Sequence, residues 1–317
     1  MDQVNDKLNI TFITFAGHVE LQTYRFLYFT IMFIVYILVI VCNSTILFMV
    51  WIEKSLHEPM YIFIAALLLN SLFFSTNIYP KLLIDFLSDR QMASLFQCYI
   101  QSFIYYSLCG SEFLLLCVMA YDRYVSICKP LQYPTIMTKT TIRVLLGFAW
   151  FVPACQLVPS LFLSSSMEVC NLTLEGIYCN NSISQIYCVS SSAAYLIYGV
   201  FIILNTIIIP IIFIIFTYIK ILIVAYQSST NVRRKAVQTC SPHLLVLISF
   251  SCLSTYDVVI ARLKIDLHKT TRFILTLQIV LYHPLFNPIV YGLKMKKISH
   301  HLKRFFFRGK LSVKADV

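Results

Sequence analysis

Seven stretches of this chain are apolar for long enough to cross a lipid bilayer, and nothing constrains its fold more. A helical span needs about 20 mostly apolar residues. The candidates run approximately over Phe26–Trp51, Met60–Leu83, Ile100–Met119, Thr141–Phe162, Ala194–Val224, His243–Ile260 and Phe273–Tyr291. Pro, Asn and Ser interrupt several of them, which membrane helices tolerate where neighbours re-satisfy the freed backbone groups. The longest polar stretch is only a loop, so no soluble domain is expected. Only 12% of the residues are charged and 59% are hydrophobic, against about 25% charged in soluble domains. The expected fold is an all-α membrane protein. It places an extracellular amino-terminal segment at 1–25, a seven-helix transmembrane bundle at 26–293, and a cytoplasmic amphipathic helix and tail at 294–317.

Lys and Arg set the orientation. With the amino terminus outside, the inner loops and tail hold Lys54, then Arg123, Lys129, Lys139 and Arg143, then Lys220, Arg233, Arg234 and Lys235, and eight more from Lys294 to Lys314. That is seventeen of the 25 basic residues, and the loop between the fourth and fifth segments holds none. The formal charge of +11 then gathers on the cytoplasmic face of the plasma membrane, where anionic membrane lipid attracts it. That location argues against nucleic acid as a partner. Met1–Glu20 is mixed and polar, without the basic stretch and short apolar core of a cleavable signal peptide, so the first span is expected to act as its own insertion signal. Asn9-Ile10-Thr11 is a glycosylation sequon on the outer side. Asn171 and Asn180 open two more, crowded by cysteines, and Asn43-Ser44-Thr45 falls inside a span.

Cys98, Cys170, Cys179 and Cys188 face the outer, oxidising side and suggest two disulfides, for which sequence alone leaves three connectivities. No close Cys pair or His accompanies them, which argues against a zinc site; no metal and no cofactor is implied. Cys42, Cys109, Cys117 and Cys252 lie within spans and read as small buried hydrophobes. Two acidic positions stand out. Asp122-Arg123 closes the third apolar segment, and Glu112 lies nearly three helical turns deeper. An ionisable group costs about 2.5–3.5 kcal/mol at the bilayer centre and less at its edge, and one at the depth of Glu112 is a functional group by default.

Five motifs occur in order on separate segments. They are Cys42-Asn43; Leu56-His57-Glu58-Pro59-Met60-Tyr61 with Pro80-Lys81; Met119-Ala120-Tyr121-Asp122-Arg123-Tyr124 running on to Cys128; Lys235-Ala236 with Thr239-Cys240 and His243-Leu244; and Asn287-Pro288-Ile289-Val290-Tyr291. In these the chain resembles, over nearly its whole length, the rhodopsin-like (class A) G-protein-coupled receptors of the odorant (olfactory) receptor family. It departs from the family where a Gly-Asn element is reduced to Cys42-Asn43, where the second-helix aspartate is replaced by Ser71 beside Asn70, and where a Phe-Tyr-Gly element reads Phe250-Ser251-Cys252.

The resemblance implies an odorant receptor. It would bind a small-molecule odorant in the outer half of the bundle and activate a stimulatory, olfactory-type heterotrimeric G protein through cAMP. It pairs Cys98 with Cys179 and Cys170 with Cys188. In the resting state Asp122 holds Arg123, beside Tyr124. Agonist swings the sixth helix outward, and Tyr218 and Tyr291, the latter following Asn287-Pro288, are placed to bond near the freed Arg123. Interfacial anchoring is the other reading of the two tyrosines. Asn43, Asn70, Ser71 and Glu112 form the central polar cluster with Asn287. There Glu112 binds a sodium ion, is protonated, or is simply hydrogen-bonded in the bundle.

Resemblance and helical spacing together turn Tyr105, Tyr106, Cys109 and Gly110 of the third segment toward the ligand. They add Ile202 and Thr206 of the fifth, Ser254, Asp257 and Val258 of the sixth, and Val280 of the seventh. Asp257 either meets a cationic ligand group or pairs with Arg262 or Arg272 at the rim.

Rival functions lack their residues. An opsin needs a lysine where Leu281 stands, and an amine receptor needs a carboxylate where Tyr105 stands. A transporter would show internal repeats or facing charged pairs, and the motifs of membrane enzymes are missing. The nearest alternative is a small-molecule receptor of the same class deployed outside olfaction. After Tyr291, Ile298, Leu302, Phe305 and Phe306 recur at helical spacing among Lys and Arg, the pattern of a helix lying on the inner membrane surface. Its anchoring is expected to rest on aromatics and charge alone.

Overall fold

The computed structural model describes residues 11–313 apart from 181–182, 184–185, 189–192, 229 and 264–267. Asn9 lies outside the described residues, as do the side chains of Asp257 and Val258. Among the described residues eight long helices dominate: α1 (Leu21–Ile52), α2 (Pro59–Leu87), α3 (Leu95–Cys128), α4 (Lys139–Ser165), α5, α6 (Thr230–Leu263), α7 (Lys269–Lys294) and α8 (Lys296–Val313). The fifth is one continuous run of Ala193–Ile203, a π-helical turn Leu204–Ile208 and Ile209–Tyr226. α1 to α5 and α7 are long and apolar enough to cross a membrane, and α6 contributes the shorter apolar stretch Cys240–Thr255. Seven helices thus form the bundle and α8 follows the last span.

Apolarity alone marks only what lipid touches, so every spanning helix outruns its apolar core in both directions, α6 most of all. α3 begins five residues earlier than hydropathy suggests because Ser94 caps it. The Ser94 Oγ accepts from the Gln97 amide at 3.2 Å and the Gln97 Oε1 accepts from the Ser94 amide at 3.0 Å; this reciprocal box satisfies two orphan donors. At its other end α3 runs nine residues past Met119, so Asp122-Arg123 stands inside a helix rather than at its end. The outward faces carry Phe26, Phe33, Trp51, Phe151, Ile212 and Phe216, all exposed. On a soluble protein such a belt would associate; here it is the lipid-facing surface. α3 is the hub, packing against α2, α4, α5 and α6. Gly110 makes the closest of these approaches possible, since a Cβ there would lie 2.7 Å from Cβ of Pro153 on α4.

The fold is not helical throughout. β1 (Phe12–Phe15) pairs antiparallel with β2 (Met92–Ser94) and parallel with β3 (Thr173–Leu174), making a small outer sheet. Ile13 and Phe15 alternate inward and pack with Ala93, Leu174, Cys98 and Cys179. Strands this short depend on partners about 80 and 160 residues away, and local periodicity does not reveal them. Two disulfides, Cys98–Cys179 and Cys170–Cys188, tie the same region down.

The tail corrects one expectation. α8 is held by more than aromatics and charge. Ile298 is fully buried against the bundle, and Leu302 packs near Gly292 of α7. Lys297 bonds Glu58 at 2.5 Å, and Ser55 lies 3.1 Å from Nε2 of His301. The Glu58 bond, the largest cause, raises the Lys297 pKa. Both partners are about half exposed, so this pair contributes about 0–1 kcal/mol and the buried Ile298 more. The side chains of Phe305 and Phe306 lie outside the described residues.

Candidate functional site

Three polar or hollow layers lie one below another along α3. The outermost is a cavity of about 140 Å³. On one face of α3, residues three or four apart share a side, and Ser102, Tyr105, Tyr106, Cys109, Gly110 and Phe113 line the cavity at that spacing. Ile202 and Thr206 of α5 and Ser254 of α6 also line it. The aromatic wall is continuous. Tyr105 meets Tyr106 edge-on at 4.9 Å between ring centroids and Phe74 at 5.1 Å. Phe250 meets Phe113 at 4.7 Å and stacks on His283 at 4.5 Å. Above, the disulfide-bound loop closes the top: the Cys179 amide donates to Oε1 of Gln101 at 3.0 Å, and Tyr178 packs on Tyr105 at 5.6 Å.

One helix phase needs correcting. Val280 does not line the cavity; it is fully buried in the cluster that contains Tyr79, whose hydroxyl donates to the Val280 carbonyl at 3.2 Å. Ile279 and His283, one turn apart, face the cavity from α7 instead. A one-residue slip rotates a helical side chain by about 100°. α4 also forms a wall, with Leu157, Ser160 and Leu161. At the rim Arg272 pairs with Glu175.

Beneath the cavity sits Glu112, fully buried. Its Oε2 accepts from Nδ2 of Asn70 at 2.9 Å and its Oε1 from Nδ2 of Asn287 at 2.9 Å. Asn287 also reaches Oγ of Ser71 at 3.0 Å. Asn43 stands one step aside, donating to the carbonyls of Val39 and Pro284 at 2.8 and 3.0 Å. Two members escaped the sequence reading. His283 Nε2 lies 3.5 Å from Oε2 of Glu112, and Trp150 Nε1 donates to Oδ1 of Asn70 at 3.4 Å. His283 lies one helical turn before Asn287, on the same face, and that spacing was the available signal.

The innermost layer centres on Asp122, fully buried. Oδ2 accepts from Nε and Nη2 of Arg123 at 3.1 and 2.7 Å, and Oδ1 accepts from the hydroxyl of Tyr133 at 2.8 Å. Tyr133 belongs to the single helical turn Tyr133–Ile136 between α3 and α4 and was also missed. Burial and then the Asp122 charge push its phenol pKa up, so it remains a donor at neutral pH. Tyr218 of α5 is bonded to His243 of α6. Tyr291 is fully buried, and its hydroxyl has no partner among the described residues. Tyr124 packs against the main core, and Pro288 is buried one residue after Asn287. Arg123 is thus bonded to Asp122, while both tyrosines point into protein rather than lipid.

Comparison with known proteins bears on these layers. The family described as olfactory receptor matches residues 32–309. Among curated proteins, the chain is 28% identical to Olfactory receptor 6Y1 of Homo sapiens over 305 residues, covering 95% of this chain and 93% of that one. It is 30% identical to Olfactory receptor 2T1 of Homo sapiens over 307 residues, 95% and 81% of the two chains. To Olfactory receptor 52K1 of Homo sapiens it is 32% identical over 277 residues, 86% and 88%.

Proposed function

The chain belongs to the olfactory receptor family, and on that premise we propose that it detects a small-molecule odorant in the outer cavity and relays the event to a stimulatory heterotrimeric G protein. It is an odorant-sensing G-protein-coupled receptor of the plasma membrane with several spans, and not an enzyme. Its amino terminus lies outside and its carboxyl terminus inside, as the basic residues argue, with the cationic tail against anionic lipid.

The observation that carries the reading is the stacking of the three layers on α3. Ligand in the cavity presses on Phe250 and His283, and His283 touches Glu112. Glu112 is bonded to Asn287 on α7, one turn from Tyr291. A ligand shifts such a bundle only by binding one arrangement better than the other, and here its contacts fall on α3, α5, α6 and α7 together. In the active arrangement Arg123 leaves Asp122 and meets Tyr218 and Tyr291 as α6 moves out, opening a cleft for the G protein. The test is cAMP accumulation in cells expressing the chain, screened with an odorant panel, beside Arg123→Ala. A response that Arg123→Ala abolishes at normal surface delivery supports the reading. Ligand-driven ion or solute flux that survives the change would instead mark a transporter.

A further inference from the structure

Four Asn-x-Ser/Thr sequons occur in the chain, at Asn9, Asn43, Asn171 and Asn180, and the fold separates those among the described residues. An N-linked oligosaccharide is bulky and needs a surface position. Asn43 is fully buried inside α1, with Nδ2 spent on the carbonyls of Val39 and Pro284. Asn180 is only 9% exposed and follows the buried Cys179 of the disulfide to Cys98. Neither has room for a sugar. Asn171, Leu172 and Thr173 are all exposed.

Local bonding holds the backbone at Asn171 and spares the atom that a glycan joins. The Asn171 amide donates to the Ile186 carbonyl at 3.1 Å, and the Thr173 amide donates to Oδ1 of Asn171 at 3.0 Å. Among the described residues Nδ2 of Asn171 has no partner. With the amino terminus outside, the orientation on which this site rests, the loop faces the oxidising side where its two disulfides form. Sequons are glycosylated on that side.

The position adjoins an open sheet edge. The strand order β2-β1-β3 leaves β3 with one unpaired side, and such an edge pairs with other chains unless something covers it. Phe12 of β1 and Leu172, just before β3, are each about half exposed and add apolar surface to the same sheet.

We propose that Asn171 carries an N-linked oligosaccharide, that Asn180 carries none, and that the sugar shields the open edge of the outer sheet. In the covalent step Nδ2 bonds to the anomeric carbon of an oligosaccharide carried on a lipid pyrophosphate. The bond from that carbon to the pyrophosphate oxygen breaks, the lipid pyrophosphate leaves with the electron pair, and one Nδ2 proton passes to a base of the transferase. One N–H and Oδ1 remain, so the Thr173 amide keeps its acceptor.

The test expresses the full chain with an amino-terminal tag in mammalian cells and reads glycans by gel mobility before and after amidase treatment. In an Asn9→Gln background one glycan-dependent step should remain. Thr173→Ala should remove it, Thr173→Ser, which keeps the sequon, should retain it, and Asn180→Gln should leave it unchanged. Sugar is attached before folding is complete, so a variant held inside the cell still gives the reading. Amidase release in heavy-oxygen water should convert Asn171, and not Asn180, to labelled aspartate. Purified receptor should shift toward oligomer on size exclusion once this glycan is removed. A step that survives Thr173→Ala, or is lost with Asn180→Gln, overturns the assignment; an unchanged elution profile overturns the shielding. Tag labelling separates the two failures. Unmodified Asn171 with the tag labelled on intact cells refutes the glycan alone. If a carboxyl-terminal tag labels intact cells instead, the orientation fails with it.

Discussion

Replacing Tyr133 with Phe removes one of two supports of a buried carboxylate and leaves everything else in place. Asp122 is fully buried and accepts from Arg123 on one oxygen and from Tyr133 on the other. A hydrogen bond to a charged group contributes about 1.5–3 kcal/mol. If that bond exists only while Arg123 is clamped, its loss raises the resting state by at least the lower figure, about tenfold in the resting-to-active equilibrium. A receptor that is active about 1% of the time, within the usual range for a minor state, becomes active about 10% of the time. Basal cAMP, normalised to receptor counted at the cell surface, should rise close to tenfold, with the ligand-stimulated maximum little changed. The raised phenol pKa means that no such rise comes from ionisation of Tyr133 in the unaltered protein at neutral pH. Basal signalling equal to that of the parent protein, at equal surface number, would refute the reasoning, the more clearly if Asp122→Asn raises it.

Three further outcomes are expected. Burial lowers His18, on the outer side between Phe86 and Phe273, to about 4 from 6.5. The unfolded chain therefore binds more protons between those values, and stability present above pH 6.5 is lost as pH falls toward 4, by up to about 1.4 kcal/mol per pH unit. The melting temperature of the purified protein should drop from pH 7.5 to pH 5, and less so in His18→Gln; identical acid sensitivity in both would contradict this. Ile298→Asp places a charge at a fully buried position of α8 and should cut surface delivery severely, whereas Lys297→Ala should change it little; the reverse ranking in surface labelling counts against the packing account. Cys98→Ala unties the loop above the cavity and should abolish surface delivery, since losing a native disulfide often costs about 2–5 kcal/mol; a non-reduced digest joining Cys98 to Cys170 in the parent protein would show that the pairing itself is wrong.

What could be read in advance divides along physical lines. Glu112 and Asp122-Arg123 were legible because charge in an apolar run is costly and so conspicuous. The face of α3 toward the cavity was legible because 105, 106, 109 and 110 share one side of a helix. On α7 the same logic slipped by one residue to Val280, since Ile279 and Val280 are adjacent, alike in character and both buried. The α4 wall was invisible for a similar reason: Leu157 and Leu161 differ little in character from the lipid-facing Phe151 and Phe162. His283, Trp150 and Tyr133 are ordinary residue types whose importance comes from partners on other helices. The outer sheet joins three distant segments, and no local pattern announces it.

The central claim is that these three layers make a receptor whose Arg123 switch acts on a G protein. Nucleotide exchange on a purified stimulatory heterotrimer, driven by the purified chain in nanodiscs, tests it without any cellular intermediary. The account predicts that exchange accelerates with receptor present, accelerates further with a ligand that stabilises the receptor, and falls to the receptor-free rate with Arg123→Ala. Exchange that proceeds at the same rate with the parent protein, with ligand and with Arg123→Ala would contradict it.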